Sequence, residues 1–536
     1  MNSEDEILTR LETLNAIGVA LSSERDVGTL LERILEAARD FADADGGTLY
    51  RVKDQTLVFE VLRNDSLGFF MGGKHGEPID FAPLPLYDAQ GNANDTMVVV
   101  QAALTGHTIN IPDAYSAEGF DFSGTRAFDQ KTGYRSQSFL TVPMKDHSGA
   151  VIGVLQLINA KEADGSVRPF SHADQQLVES LASQASIVLN NRQLIEQLEM
   201  LFESLISLIN TAIDEKSPYT GGHCDRVPVL TMMLAEAAAR VREGPLADFD
   251  MTEADRYELK IAGLLHDCGK ITTPVHVVDK ATKLQTLFDR IELIDTRFEL
   301  LLRDAEIARL KGEITEAEHA ERLRQIAADR ELVHRSNTGG EFMDDANIEA
   351  ITRMAALELR THEGGTRPLL SADELENLTI RRGTLTKTER DIINHHIVMT
   401  IRMLEALPWP KHLTQVPEYA GGHHERMDGK GYPKGLSRDQ MSVPARVMGI
   451  ADIFEALTAR DRPYKPGMTL SESLRILGRM KLDNHVDPDL FDIFLRERVY
   501  RDYAQRFLDP HQIDNVDWAT IPGVSPDLAA WLTRPD

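Results

Sequence analysis

The stretches GGHHERMDGKGYPKG at residues 421–435 and HDCGK at 266–270 hold much of what could do chemistry in this chain. The first sets His423 and His424 side by side, follows them with an acid, and closes in a glycine-broken loop ending in Tyr-Pro. The second places His266 and Asp267 at the end of an apolar run, IAGLL, with Lys270 close behind. Imidazole and carboxylate are the donors that hold hydrolytic transition-metal ions. A carboxylate at the end of a buried helix is costly unless a cation compensates it. Two such clusters point to more than one metal and to phosphoester hydrolysis.

Further donors lie between and beyond them. His395 and His396 share a helix in LTKTERDIINHHIVMTIRML, and Asp452 is a carboxylate in the otherwise apolar helix ARVMGIADIFEAL. Adjacent helical residues point about 100° apart, so one His-His pair can serve two ions. His223, after a Gly-Gly turn in SPYTGGHCDRV, reads by position alone as a capping residue more readily than a ligand. Cys224 and Cys268 adjoin ligand positions and read as small packing residues, while His276, His334 and His362 read as solvent-facing.

Composition sets the frame. A chain of 536 residues is too long for one core and should divide into domains. Hydrophobic content of 42% and charged content of 27% describe a soluble globular protein. A net charge of −27 and a pI near 5.1 argue against nucleic-acid binding and against docking on anionic lipid. An anionic substrate then needs a local positive patch from metals or clustered Arg and Lys. No apolar run approaches the roughly 20 residues of a membrane span, and the acidic start MNSEDEILTR is no signal peptide. Two cysteines fit a reducing cytoplasm. The expectation is a cytoplasmic protein without nucleic-acid or membrane partners.

Residues 1–190 read as α+β. The amphipathic LLERILEAARDFADADGGTLYRV runs from helix into a strand near 47–52, and SFLTVPM (138–144) and AVIGVLQLIN (150–159) are strands joined by a KDHSGA turn. A helix then starts at SHADQQLVESL, with Ser171 as N-cap and Asp174 three positions on. The segments NIPDAY, FDQKTGYRSQSFLTVPM and GAVIGVLQLIN resemble a GAF domain of the cyclic-nucleotide-binding kind. Of that subgroup's Asn-Lys-Phe-Asp-Glu signature this chain keeps Asn159, Phe170 and Asp174, with Ala160 and Gln175 at the other positions and a lysine one place late at Lys161. The resemblance implies a sensor taking a cyclic nucleotide; the departures leave dimerisation as the other role.

Residues 176–214 form a nearly unbroken helical pattern, with Leu194, Leu198, Leu201, Leu205 and Leu208 at spacings of three and four. This stripe predicts a parallel coiled-coil connecting helix over 186–214, and so a homodimer. The region 205–505 reads as all-α, without strands, and is interrupted by a charge-rich insert at 284–381. Two insert helices break at KGEIT, Thr315 and Glu318 form a capping box, and NTGG and HEGGTRP are turns. The picture is a helical hairpin projecting from the core. Residues 506–536 read as a tail on the surface.

The helical region resembles the HD-GYP phosphodiesterases through HxxRV from His223, HDxGK, LTKTE, HHExxDGxGYP, ARVMGIAD and DRPY. The resemblance implies metal ligands at His223, His266, Asp267, His396, His423, His424 and Asp452, with His396 preferred to His395 by its distance from Glu389. It implies two transition-metal ions, iron or manganese, bridged by Asp267. Water activated by the ions would attack phosphorus in line while Lys270 neutralises charge, which makes Lys270 and Asp267 the catalytic pair. Lys430, Gly431, Tyr432 and Pro433 would wall the pocket, with Gly429 and Gly431 letting the backbone approach the ligand. Arg462 and Lys465, with Lys430, would hold phosphates and guanine edges, or else be surface charge. A third ion found in some relatives needs a Glu where this chain has Tyr219. The expected activity is hydrolysis of cyclic di-GMP to linear pGpG and/or GMP under GAF control, with a diguanylate cyclase or effector as partner. The alternatives are hydrolysis of 3',3'-cGAMP and a non-catalytic cyclic di-GMP receptor.

Overall fold

The computed structural model describes residues 16–21, 23–24, 26–216, 222–339, 342–459 and 467–534. The chain separates into two compact units, Met1–Phe202 and Glu203–Asp536.

The first unit is built on an antiparallel sheet. Its strands are β1 (Ala44–Lys53), β2 (Thr56–Asn64), β3 (Phe69–Gly72), β4 (Leu84–Pro85), β5 (Ile109–Ile111), β6 (Phe139–Lys145), β7 (Val151–Lys161) and β8 (Val167–Arg168). They run in the order β3-β2-β1-β7-β6-β5, with β4 on β2 and β8 on β7. Side chains alternate between faces, and β1 shows both. Leu49, opposite Leu155, faces a core with Leu30, Ile34 and Leu35 of helix α1 (Val27–Phe41) and Val178 and Leu181 of the long helix described below. Tyr50, opposite Val154, faces Val99 and Val100 of α2 (Val98–Thr105). Helix α3 (Ser123–Thr132) follows β5. Strand β2, unforeseen in the sequence, sends Leu57 to one core and Val61 to the other. Burial on both faces makes TLVFEVL nearly continuously apolar and erases the alternation that marks a strand.

The long helix α4 is one element of 45 residues, His172–Lys216. Ser171 accepts from Asp174 N at 3.1 Å and Asp174 accepts from Ser171 N at 2.8 Å, as expected for its start. Its leucine stripe is uncovered: Leu198 is 64% exposed and Leu208 64%, with Leu194, Leu201 and Leu205 also exposed.

The second unit opens with α5 (His223–Arg240), α6 (Glu253–Leu265) and a 3-10 turn at Cys268–Thr272. The insert follows. Helices α7 (Ile291–Leu310) and α8 (Glu316–Asn337) form the expected hairpin, and the Thr315–Glu318 box is present in both directions. The insert is more than a hairpin. It continues through α9 (Asp345–Ala355), a two-stranded ribbon of β9 (Glu358–Arg360) and β10 (Thr366–Pro368), and α10 (Ala372–Leu378). These close a core of Leu284, Ile294, Phe298, Val333, Ile351, Leu359, Leu369 and Leu378. The ribbon corrects the strand-free reading; strands of three residues are too short to show a period of two.

The rest of the unit is α11 (Lys387–Glu405), α12 (Val416–Gly421), α13 (Val443–Thr458), α14 (Leu470–Leu482), α15 (Pro488–Arg496), α16 (Val499–Phe507) and α17 (Pro526–Leu532). The C-terminal segment is packed rather than laid on the surface. Gln512 is buried and donates from Nε2 to Thr458 O at 2.9 Å and Met468 O at 3.0 Å, and Trp518, Ile521, Leu528 and Leu532 are buried. No helix among the described residues is long and apolar enough to cross a membrane.

Candidate metal centre

His266 caps the C-terminal end of α6, and the 3-10 turn carries the chain back against α11. Gly269 makes this approach possible. A Cβ there would lie 2.0 Å from His396 O and 2.5 Å from Thr400 N, and its own N–H donates to Thr400 Oγ1 at 2.9 Å. The glycine of HDCGK thus sets the first cluster beside His396. His423 and His424 follow α12, and α13, capped by Ser442, brings in Asp452.

The donors assemble into two groups, His223 with His266 and Asp267, and His396 with His423 and His424. Asp267 stands between them. Its Oδ2 is 3.2 Å from Nε2 of both His223 and His266, and its Oδ1 is 3.3 Å from Nε2 of His396. Asp452 Oδ1 is 3.3 Å from His223 Nε2, and the Nε2 atoms of His396 and His424 are 3.2 Å apart. All seven residues carried over by resemblance are brought together. His395 is exposed whereas His396 is buried.

The local backbone aims the rings. Nδ1 of His266, His396 and His423 meets the carbonyls of Gly263, Ile393 and Ala420 at 2.8, 2.6 and 2.7 Å, each three residues back. That contact assigns the proton to Nδ1 and leaves Nε2 free as a donor. Within this cluster, His266 Nε2, Asp267 Oδ1 and His423 Nε2 are buried with no hydrogen-bond partner among the described residues. Each is costly, and cations held by the cluster would satisfy all three. The residues present fit a metal centre.

The electrostatics divide the cluster. Burial opposes protonation of His266, but Asp267 and Asp452 outweigh it and raise its pKa to about 9. Burial, aided by His424 and His266, holds His423 well below the usual imidazole range, and burial drives His424 down to about 4. Burial would raise Asp267, yet Lys270 and the histidines hold it well below the carboxylate range. Lys270 pairs with Asp267. Burial pushes the thiols of Cys224 and Cys268 up to about 12 and about 11, so both stay neutral packing groups.

The GYP loop closes over one side. Tyr432 stacks on His424, ring centroids 4.8 Å apart at 19°, and its N–H donates to His424 O at 3.3 Å. A Cβ on Gly431 would lie 2.4 Å from Arg426 N, so a glycine is needed there for the loop's own backbone to close. Glu425, the acid after the two histidines, is buried and accepts from Lys434 N at 2.7 Å and Leu436 N at 2.8 Å. It fastens the loop. The Lys430 side chain is 78% exposed and 3.7 Å from Asp428. Arg462, Lys465 and Tyr219 lie outside the described residues. His276 and His362 are exposed as expected, and exposed His334 faces Asp295 at 2.9 Å.

Sequence reasoning gave no role to Glu455. Fully buried on α13, it receives His223 Nδ1 and, at 2.7 Å, Arg226 Nε. The available signal was a second acid one turn beyond Asp452 in an apolar helix.

The first unit holds a cavity of about 320 Å³ whose lining includes Tyr50, Phe59, Phe69, Phe128, Tyr134 and Gln156. The residues of the nucleotide-binding signature serve the fold. Ala160 is in the core, where lysine would bury a charge, while Lys161 on the opposite face of β7 pairs with Asp45. Asp174 takes Arg168 as its partner at 2.6 Å.

Comparison with known families agrees with this division. Residues 26–189 match the GAF domain, and residues 220–363 and 371–490 match two HD domain families. The chain is a GAF domain followed by an HD-domain region. It is 24% identical over 289 residues to 3'3'-cGAMP-specific phosphodiesterase 3 of Vibrio cholerae, covering 54% of this chain and 37% of that one. It is 43% identical over 81 residues to 3'3'-cGAMP-specific phosphodiesterase 1 of the same organism, covering 15% and 19%. A cyclic di-GMP phosphodiesterase of Pseudomonas aeruginosa is 36% identical over 114 residues, covering 21% and 26%. The matched segments thus span between 19% and 37% of these relatives' own lengths.

Proposed function

We propose that this protein is a metal-dependent phosphodiesterase that hydrolyses cyclic di-GMP to pGpG and/or GMP, regulated by its GAF domain. One observation carries the reading: a buried carboxylate, Asp267, turns one oxygen toward His223 and His266 and the other toward His396. Bound iron or manganese ions would supply Lewis acidity and a water with its pKa lowered toward 7. The seven donors suit those ions, with no thiolate among them. Held on Asp267, Lys270 would place its ammonium against a non-bridging phosphate oxygen, where developing charge needs a fixed cation. Tyr432, fixed on His424, would offer an aromatic face beside the phosphate, with Gly431 and Pro433 completing the wall and Lys430, Arg462 and Lys465 reaching phosphates or guanine edges.

A second reading, hydrolysis of 3',3'-cGAMP, is favoured by the 43% identity to a phosphodiesterase named for that substrate. Anaerobic purification, metal analysis and chromatography of both cyclic dinucleotides test the two. Turnover of cyclic di-GMP with little of the mixed dinucleotide supports the first; the reverse supports the second; tight binding without turnover makes the protein a receptor.

Regulation is read from the first unit. The aromatic cavity suits a planar ring system such as a cyclic nucleotide, with Gln156 and Asn64 offering polar edges. The uncovered leucines of α4 would pair in a homodimer, and two such helices can pass a small rotation along their length. This organisation keeps a sensor over 1–190, a connecting helix over 186–214 and a catalytic region over 205–505. The substrate's maker or reader, a diguanylate cyclase or an effector, is the partner class implied.

A further inference from the structure

Three histidines of the cluster, His266, His396 and His423, are oriented by main-chain carbonyls three residues back in their own chain segments. His223 is held differently. Its Nδ1 donates to the Glu455 carboxylate, which is 0% exposed, and Arg226 donates Nε to the other oxygen at 2.7 Å. The arrangement is a crossing of two pairs. His223 and Arg226 lie three apart on α5, and Asp452 and Glu455 lie three apart on α13. His223 therefore touches both acids, Asp452 through Nε2 at 3.3 Å and Glu455 through Nδ1.

We infer that Glu455 is a positioning residue that sets the metal affinity of the His223, His266, Asp267 and Asp452 position and leaves the His396, His423 and His424 position unchanged. The inference rests on the two-metal reading proposed above. A carboxylate on Nδ1 fixes the ring and its tautomer, and makes Nε2 a more basic donor than a carbonyl would. A buried carboxylate is tolerable only with a paired cation, and Arg226 provides it. The two positions are thus built by unequal means. One gathers two carboxylates directly and a third behind its histidine; the other gathers three imidazoles and shares Asp267.

The test is a titration of the full metal-free chain with manganese(II) alone, followed by electron paramagnetic resonance. The wild-type chain is expected to take two equivalents, and ions sharing Asp267 should give a spin-coupled signal. In Glu455→Gln one equivalent should bind about 10- to 100-fold more weakly. At a manganese level that just fills the wild type, the variant should then show the uncoupled signal of a single ion. Glu455→Asp, which keeps the charge, should recover part of the lost affinity and of the coupled signal. Two tight equivalents and a coupled signal in Glu455→Gln would overturn the inference. Equal weakening at both positions, with a lower melting temperature of the metal-free protein, would also overturn it by making Glu455 a general structural residue. Fewer than two equivalents in the wild type would instead overturn the two-metal reading, and that result appears before any substitution is made.

Discussion

Two buried polar clusters, one in each unit, are built in opposite ways. In the first, the buried Asn159 and Asp45 are satisfied within the protein: Asn159 accepts from Gln137 N at 2.7 Å and donates to Arg135 O at 2.7 Å, and Asp45 receives Lys161, Tyr134 and Ser66. What the unit leaves over is space, an aromatic cavity of about 320 Å³. In the second, His266, Asp267 and His423 keep buried donor atoms without partners. A cavity announces itself by room, and a candidate metal centre by unmet demand. The first is filled by shape, with a modest gain; the second attracts charge strongly, and its loss is severe.

Removing the shared demand is the hardest test of that contrast. Asp267→Ala should cost both metal equivalents and about 10³-fold or more in turnover, with the helical circular dichroism retained. Full activity in this variant would break the proposed centre. Next in size is Gly269→Ala. Its Cβ would meet main-chain atoms rather than a side chain that can turn away, so the fold should lose about 2–3 kcal/mol and the metal content should fall. Thermal unfolding of the metal-free protein measures the first effect, and an unchanged melting temperature would show that the turn can shift freely.

Proton release sharpens the picture within the centre. In the metal-free protein His266 titrates at about 9, so at neutral pH an entering ion must displace its proton, while His424, at about 4, is already neutral. Metal affinity should therefore climb as pH rises from neutral through about 9. Calorimetry in buffers of different ionisation enthalpy should show proton release near pH 7, and none would contradict the asymmetry. The same shift has a stability consequence with a fixed sign. Because the folded pKa of His266 lies above its usual 6.5, its contribution to the metal-free fold is complete below about 6.5 and disappears as pH rises through about 9.

The smallest effect belongs to the cavity. Phe59→Ala should weaken cyclic-nucleotide binding to the full chain by about 1 kcal/mol and leave metal content untouched. Isothermal calorimetry with cyclic AMP and cyclic GMP reads the first, and absence of binding to the wild-type chain would leave dimerisation as the role of the first unit.

Much of the centre was legible because its chemistry is written in residue types that are expensive to bury. His266, Asp267 and Asp452 stood out as polar groups against apolar runs, His423 and His424 as adjacent imidazoles beside an acid, and the structure gathers them. Glu455 did not stand out, since an acid beside a stronger candidate reads as surface charge until a partner from another helix is seen. The packing of Gly431 was hidden as well, because a sequence cannot show that Arg426 N lies where its Cβ would be. In the fold, β2 was hidden by burial on both faces, the β9–β10 ribbon by its brevity, and the packing of Gln512 and Trp518 by the distance in sequence to what they cover.

The Lys280 ammonium is buried where the insert begins and donates to Asn377 Oδ1 at 2.7 Å, near where it ends, and to both oxygens of Glu389 at 2.8 and 2.7 Å, in the cap of α11. The chain leaves and returns at almost one point. For the helical region the excursion between Lys280 and Glu389 is then topologically a short loop. Closing a longer loop costs only about 0.6 kcal/mol per doubling, so a change of length beyond this knot carries little entropic cost. Separation along the chain and separation in space are decoupled here, which makes this junction the natural place for related sequences to differ in length while keeping one site.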